Sequence, residues 1–334
     1  MSDKPFHLGT FAGPEKTFIG LVIDDKVGDL TQAASQAGVA LPHHAHVADV
    51  LADWERNFDL LAKVSAHAVR QGLQDFTPLT ATRPLPPLGR PGKMIYAAAN
   101  YSDHVAGMRK TFTPPVAGNT NKPLPPLRPY AFGKLNEPTG AFDDIILPEG
   151  LQRIDWEAEL MVVIGTPGYR IGQADAAQHI AGYMSTNDVS CRDLTWRDDR
   201  PTIRSDWLAG KSYDSFAPIG PYFTPKAFVP DHANLSIKLW VNGEIKQDGN
   251  SKDMTFGIEE QIEYASRMMT LRPGDMLATG TPAGTGQERG EFLRAGDIVE
   301  TEVQFCGRQR NRVVANHAHP LLRASQGSEA THAA

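Results

Sequence analysis

The segment Asp155-Trp156-Glu157-Ala158-Glu159-Leu160, running into Met161-Val162-Val163-Ile164 and closed by Gly165, decides how this 334-residue chain is read. A run of β-branched and apolar residues reads as a strand, and residues two apart in a strand point to one face, about 6–7 Å apart. In that register Asp155, Glu157 and Glu159 share a side that continues as Met161 and Val163, so three like charges meet at the threshold of a core. Repulsion and the cost of burying charge leave two resolutions: a solvated strand face, the commoner reading of an isolated Glu-x-Glu, or a bound divalent cation. Oxygen-only ligands suit hard ions such as Mg²⁺, Mn²⁺ or Ca²⁺ better than Zn²⁺.

Working outward, the length points to one large or two unequal domains with a substantial core. With 41% apolar and 22% charged residues the composition is that of a globular protein, and a net charge of −6 leaves no basic footprint for nucleic acid. No apolar leader follows Met1 and no stretch approaches the ~20 apolar residues of a membrane span, so a cytoplasmic protein with no membrane partner is expected. Cys191 and Cys306 stand alone and are expected as free buried thiols.

Before the acidic strand, Thr17 to Leu30 alternates around Asp24-Asp25-Lys26 as a hairpin, and Val47 to about Gly72 keeps the helical period. His43, His44 and His46 lie in a loop beside Pro42 and are not expected to bind metal. Prolines and glycines crowd Thr77 to Lys93, which predicts an extended linker and a domain boundary. Met94 to Ala99 then reads as a buried strand ending at Asn100-Tyr101-Ser102-Asp103-His104. The proline-rich segment Thr113–Pro129 reads as a functional loop. Beyond the acidic strand, Gly172–Tyr183 has helical spacing and Met184–Val189 returns to strand, which sets Asp188 beside the acids if the two strands pair. A hairpin turns at Asn242-Gly243, an amphipathic helix covers Gly257–Thr270, and strands follow at Met276–Thr279, Ile298–Phe305 and Gln309–Val314.

Five motifs fall in one β-rich region: Asn100-Tyr101-x-x-His104, the acidic strand, Asn187-Asp188, Trp207 to Pro221 around Lys211, and the glycine-rich turn Ala278-Thr279-Gly280-Thr281-Pro282-Ala283-Gly284. Their kind and order resemble the fumarylacetoacetate hydrolase family over roughly Lys93 to Pro320. The resemblance implies an α+β, predominantly β fold: a mixed β-sheet roll over 94–320, preceded by a small α/β accessory domain over 1–80 and a proline-rich linker over 81–93. Residues 323–334 are expected as a disordered tail. It further implies a homodimer, a divalent metal (Mg²⁺, with Mn²⁺ or Ca²⁺ as alternatives) on Glu157, Glu159 and Asp188, and catalytic roles for His104 and Lys211. Tyr101, Arg192 and Thr281 are expected at a small oxo-acid substrate. A histidine suits proton transfer from water at neutral pH, and a lysine suits a developing anion.

The chain departs from the resemblance at Gly107, where hydrolytic members commonly carry a Glu three residues after the histidine, and at Thr195, where relatives often have Gln. The expected activity is therefore metal-dependent hydrolysis of the C–C bond of a β-diketo acid, such as an acylpyruvate met in catabolism of aromatic compounds. A metal-dependent lyase, decarboxylating or dehydrating a 2-oxo acid, is the alternative that the missing Glu favours. Asp103 is the one nearby acid that could stand in for it.

Overall fold

A computed structural model describes residues 4–42, 44–89, 91–111, 127–200 and 202–316. Most of the proline-rich segment Thr113–Pro129, His43 and the tail from 323 lie outside the described residues. The organising strand is Ala158–Ile164, a fully buried central member of an eight-stranded mixed sheet. It pairs antiparallel with Ile180–Asn187 on one side and with Met276–Ala278 on the other. Met276–Ala278 in turn runs parallel to Met94–Ala97. A second sheet of five strands is built on the hairpin Ser236–Val241 and Glu244–Asn250 with Ile298–Val303 and Arg308–Val314. That hairpin turns where expected, with Asn242 and Gly243 at positive φ.

Alternation sorts the central strand between two cores. Leu160, Val162 and Ile164 join Ile237, Leu239, Val299 and Val303, so one face closes against the second sheet. Met161 and Val163 join a different cluster with Tyr96, Met184, Phe6, Leu8, Val50, Trp54 and Leu61, drawn from the N-terminal unit. That unit is a five-stranded sheet carrying the helices Leu30–Gln36, Val47–Leu51 and Trp54–Arg70. The expected hairpin is present as Thr17–Ile23 and Lys26–Asp29.

Several expectations are corrected. The helix expected to run unbroken from Val47 to Gly72 is interrupted at Ala52-Asp53. Gly172–Tyr183 is a 3₁₀ turn over Gln173–His179, after which Ile180 already belongs to the strand. The linker expected at 81–93 contributes a strand, Arg83–Leu85, which pairs with His7–Ala12 at the sheet edge. An edge strand tolerates the missing N–H of Pro84, which is why breakers did not abolish the element. The acidic strand is also interrupted: Ile154–Asp155 pairs with Ser190–Cys191, and the ladder resumes only at Ala158.

Candidate active site

The interruption at Trp156-Glu157 separates the three acids. Asp155 does not face the other two; its carboxylate accepts from the backbone N–H of Gly286 (2.5 Å) and Gln287 (3.1 Å) and from Arg192 Nε (2.8 Å). It is a clamp on the turn that follows the glycine-rich loop. Glu157 and Glu159 are joined instead by Asp188, which the pairing of Ala158 with Asn187 carries to their side, its N–H donating to the Glu157 carbonyl at 2.8 Å. One oxygen from each of Glu157, Glu159 and Asp188 lies within 4.8 Å of the others, and all three residues are buried.

Three buried carboxylates need compensating charge. Lys211 Nζ donates to Glu157 Oε2 (2.9 Å) and Asp188 Oδ2 (2.5 Å), and Arg192 also binds Glu157. Lys134 Nζ, which the sequence reading missed, donates to Asp188 Oδ1 (2.6 Å) and to the carbonyls of Val189 and Phe216. Burial alone would raise the Glu157 carboxyl, but Lys211 and Arg192 outweigh it and hold it below the ordinary range. Burial lowers Lys134 despite Asp188. For Lys211 the attraction of Asp188 and Glu157 overcomes burial and raises it. Glu159 is the exception: burial, then the charges of Asp188 and Glu157, push it well above the carboxylate range. Its Oε2 accepts from Gly280 N–H at 2.8 Å, while its Oε1 is buried with no hydrogen-bond partner. An orphaned carboxylate oxygen facing two other acids is what a hard divalent cation satisfies, so the donor set fits the expected metal.

Gly280 owes its place to conformation. It sits at φ +95°, and an added Cβ would stand 2.8 Å from Cβ of Asn100. Asn100 pins this turn by donating to the carbonyls of Thr279 (2.8 Å) and Phe256 (3.0 Å). Beside it, the helix Ser102–Thr111 carries His104. His104 Nδ1 is hydrogen-bonded to Glu288 Oε1, and Glu288 also accepts from Gly284 N–H (2.9 Å) and the Thr285 hydroxyl (3.2 Å). A carboxylate in that setting only accepts, so Nδ1 carries the proton and Nε2 keeps its lone pair.

Glu288 thus supplies the partner that Gly107 cannot. An added Cβ on Gly107 would lie 2.6 Å from Glu288 Oε2, so the glycine leaves the room in which that carboxylate stands. The stand-in expected at Asp103 is corrected: its carboxylate accepts from the His104 backbone N–H at 2.7 Å, not from the ring. The signal for Glu288 was in the sequence as Thr285-x-x-Glu288, a helix-start spacing that predicts a cap rather than a partner for a distant histidine.

His104, Glu157, Glu159, Arg192, Lys211 and Thr281 line one cavity of about 420 Å³. Tyr101 is fully buried in the core cluster with Ile95 and Trp156 and is not among the residues lining the cavity. Thr195 spends its hydroxyl on the Cys191 carbonyl at 2.8 Å. Cys191 and Cys306 are free and buried.

A mixed sheet thus brings a buried acid group, a histidine–glutamate pair and a lysine together in the arrangement of an enzyme site. The chain belongs to the fumarylacetoacetate hydrolase family: the family model described as "Fumarylacetoacetate (FAA) hydrolase C-terminal" matches residues 93–314. Members of this superfamily are hydrolases, isomerases and tautomerases. The chain is 40% identical over 233 residues to "Oxaloacetate tautomerase FAHD2A, mitochondrial" of Bos taurus, covering 69% of each, and 39% identical over 238 residues to an uncharacterized protein of Archaeoglobus fulgidus, covering 71% of this chain and 84% of the other. Among solved structures it is similar to maleylpyruvate hydrolase from Sphingobium sp. SYK-6 in complex with manganese(II) and pyruvate (27% identity, TM-score 0.67, 92% and 99% covered). It is also similar to the fumarylacetoacetate hydrolase of Exiguobacterium antarcticum (26%, 0.67, 93% and 99% covered). Among the described residues no helix is long and apolar enough to cross a membrane.

Proposed function

We propose that this protein is a divalent-metal-dependent hydrolase that cleaves the C–C bond of an acylpyruvate, a 2-oxo acid with a second carbonyl at the β position. The observation that carries the reading is the His104–Glu288 pair on the cavity whose lining includes Glu157 and Glu159. Glu157, Glu159 and Asp188 would hold Mg²⁺ or Mn²⁺, which supplies Lewis-acid polarisation of the substrate's carbonyl oxygens. The similarity to the maleylpyruvate hydrolase structure in complex with manganese(II) and pyruvate supports that choice of ion and head group.

His104 takes a proton from water at Nε2, and Glu288 stabilises the imidazolium through Nδ1–H. The resulting hydroxide adds to the acyl carbonyl carbon, and Lys211 donates to the oxygen that gains charge as the C–C bond breaks. The electron pair of that bond passes to the pyruvate fragment, whose C3 is protonated from His104. R–CO–CH₂–CO–COO⁻ and water thus give R–COOH and CH₃–CO–COO⁻. Decarboxylation loses its motive, because it was favoured by an absent helper that Glu288 now supplies.

A keto–enol tautomerase is the second reading. It is favoured by the names of relatives at 38–40% identity, and it needs only proton transfer to and from C3 by His104. Turnover of acetylpyruvate with Mg²⁺ in D₂¹⁸O, against an enzyme-free control, separates the two. Labelled acetate together with pyruvate is the expected result. Intact substrate that exchanges its C3 protons with solvent deuterium would favour the tautomerase, and release of CO₂ would remove both.

A further inference from the structure

Resting on that reading, the wall above the acid group carries information about the substrate's far end. Apart from the polar floor, the cavity is lined by Ala97–Ala99, Val105, Met108, Tyr130, Phe132, Trp196 and Trp207. Phe132 and Trp207 stack at 4.8 Å between centroids with an 18° interplanar angle, and Tyr130 reaches the same indole at 5.8 Å. Aromatic walls with few polar groups recognise apolar surface, and about 420 Å³ is a drug-sized space, far larger than a short diacid fills.

Charge points the same way. Among the described residues the cations on this cavity are Arg192 and Lys211, and both are engaged with acids of the floor: Arg192 with Asp155 and Glu157, Lys211 with Glu157 and Asp188. A second carboxylate at the far end would be desolvated against indole and phenyl rings, and among the described lining residues the cations are already engaged with the floor.

We propose that the cavity is built for a 2-oxo acid with a single carboxylate and an aryl or similarly bulky apolar tail, an aroylpyruvate in the hydrolytic reading. The diacids named for several similar proteins would be poor ligands. The head sits over Glu157, Glu159 and Asp188, and the ring packs against the outside of the stacked Phe132–Trp207 pair and against Met108.

Calorimetry on the Mn²⁺-loaded full chain with phenylpyruvate, pyruvate and 2-oxoglutarate tests this independently of which bond the enzyme breaks. Phenylpyruvate should bind at least about 10-fold more tightly than pyruvate, and about 10²-fold more tightly than 2-oxoglutarate. Phe132→Ala should erase most of the aryl advantage. Tyr130→Arg, at a position 52% exposed and so tolerant of substitution, should gain about 10-fold for 2-oxoglutarate. Equal or tighter binding of 2-oxoglutarate or pyruvate in the native protein would overturn the inference while leaving the oxo-acid reading intact. If Mn²⁺ binds and none of the three acids does, the oxo-acid reading falls and this one with it.

Discussion

A histidine base needs a partner that fixes its tautomer, and for His104 that partner stands 184 residues away in sequence. Glu288→Gln keeps the size of the side chain and removes the charge that stabilises the imidazolium. We expect kcat to fall about 10²-fold with Mn²⁺ affinity unchanged, and a loss below about twofold would show that the pair is only a packing contact. Glu159 poses the opposite problem, since its folded-state pKa is raised by burial and by Asp188 and Glu157. Above its ordinary value of 4.5, unfolding lets this carboxyl ionise freely and so favours the unfolded state. Below that value both states are protonated and the difference disappears. Glu159→Gln should therefore raise the Tm of the metal-free protein at pH 7, lose that gain as pH falls toward 4.5, and abolish metal binding. A lowered Tm at pH 7 would contradict the charge assignment. The acid pattern was legible because alternation is local, whereas Glu288 and Lys134 reach the site only through tertiary contacts that no spacing encodes.

At the scale of elements, the break in the acidic strand does more for the site than an unbroken strand would. Turning Asp155 away leaves Glu157 and Glu159 for the cavity and gives the turn 286–289 an anchor: Asp155 accepts from Gly286 and Gln287, and the Trp156 indole N–H donates to the Gly284 carbonyl at 3.1 Å. That turn carries Glu288. Asp155→Asn should loosen it and lower kcat more than it weakens Mn²⁺ binding, since Glu157 keeps Lys211, Glu159 keeps Gly280 and Asp188 keeps Lys134 and Lys211 as partners. Amide hydrogen exchange over 284–289 should rise in parallel, and unchanged exchange with lowered kcat would place the effect in Arg192 instead. The hairpin at Asn242-Gly243 and the helix Ile258–Met268 were readable from turn chemistry and period. The strand break was not, because the acid–apolar alternation of Asp155 to Glu159 runs straight through it and gives no sign of where the ladder partner changes.

Across the whole molecule, the N-terminal unit and the sheet roll share a continuous cluster from Phe6 and Trp54 to Met161 and Met184. The prolines that suggested a loose linker lie in a segment that supplies an edge strand and Leu88 to that cluster. The fold class was legible because the motifs are strand ends in a fixed order. The extent of the shared core was not, because a strand buried on both faces has the same apolar composition whichever neighbour covers it. At the centre of this architecture, Glu157, Glu159 and Asp188 are buried together and need compensating charge. The most direct measurement is anomalous diffraction from a crystal soaked in Mn²⁺. One peak within direct coordination distance of Glu157, Glu159 and Asp188, absent in Glu157→Gln, is the predicted result. A peak elsewhere, or none while Lys211 and Lys134 still hold the acids, would contradict the account.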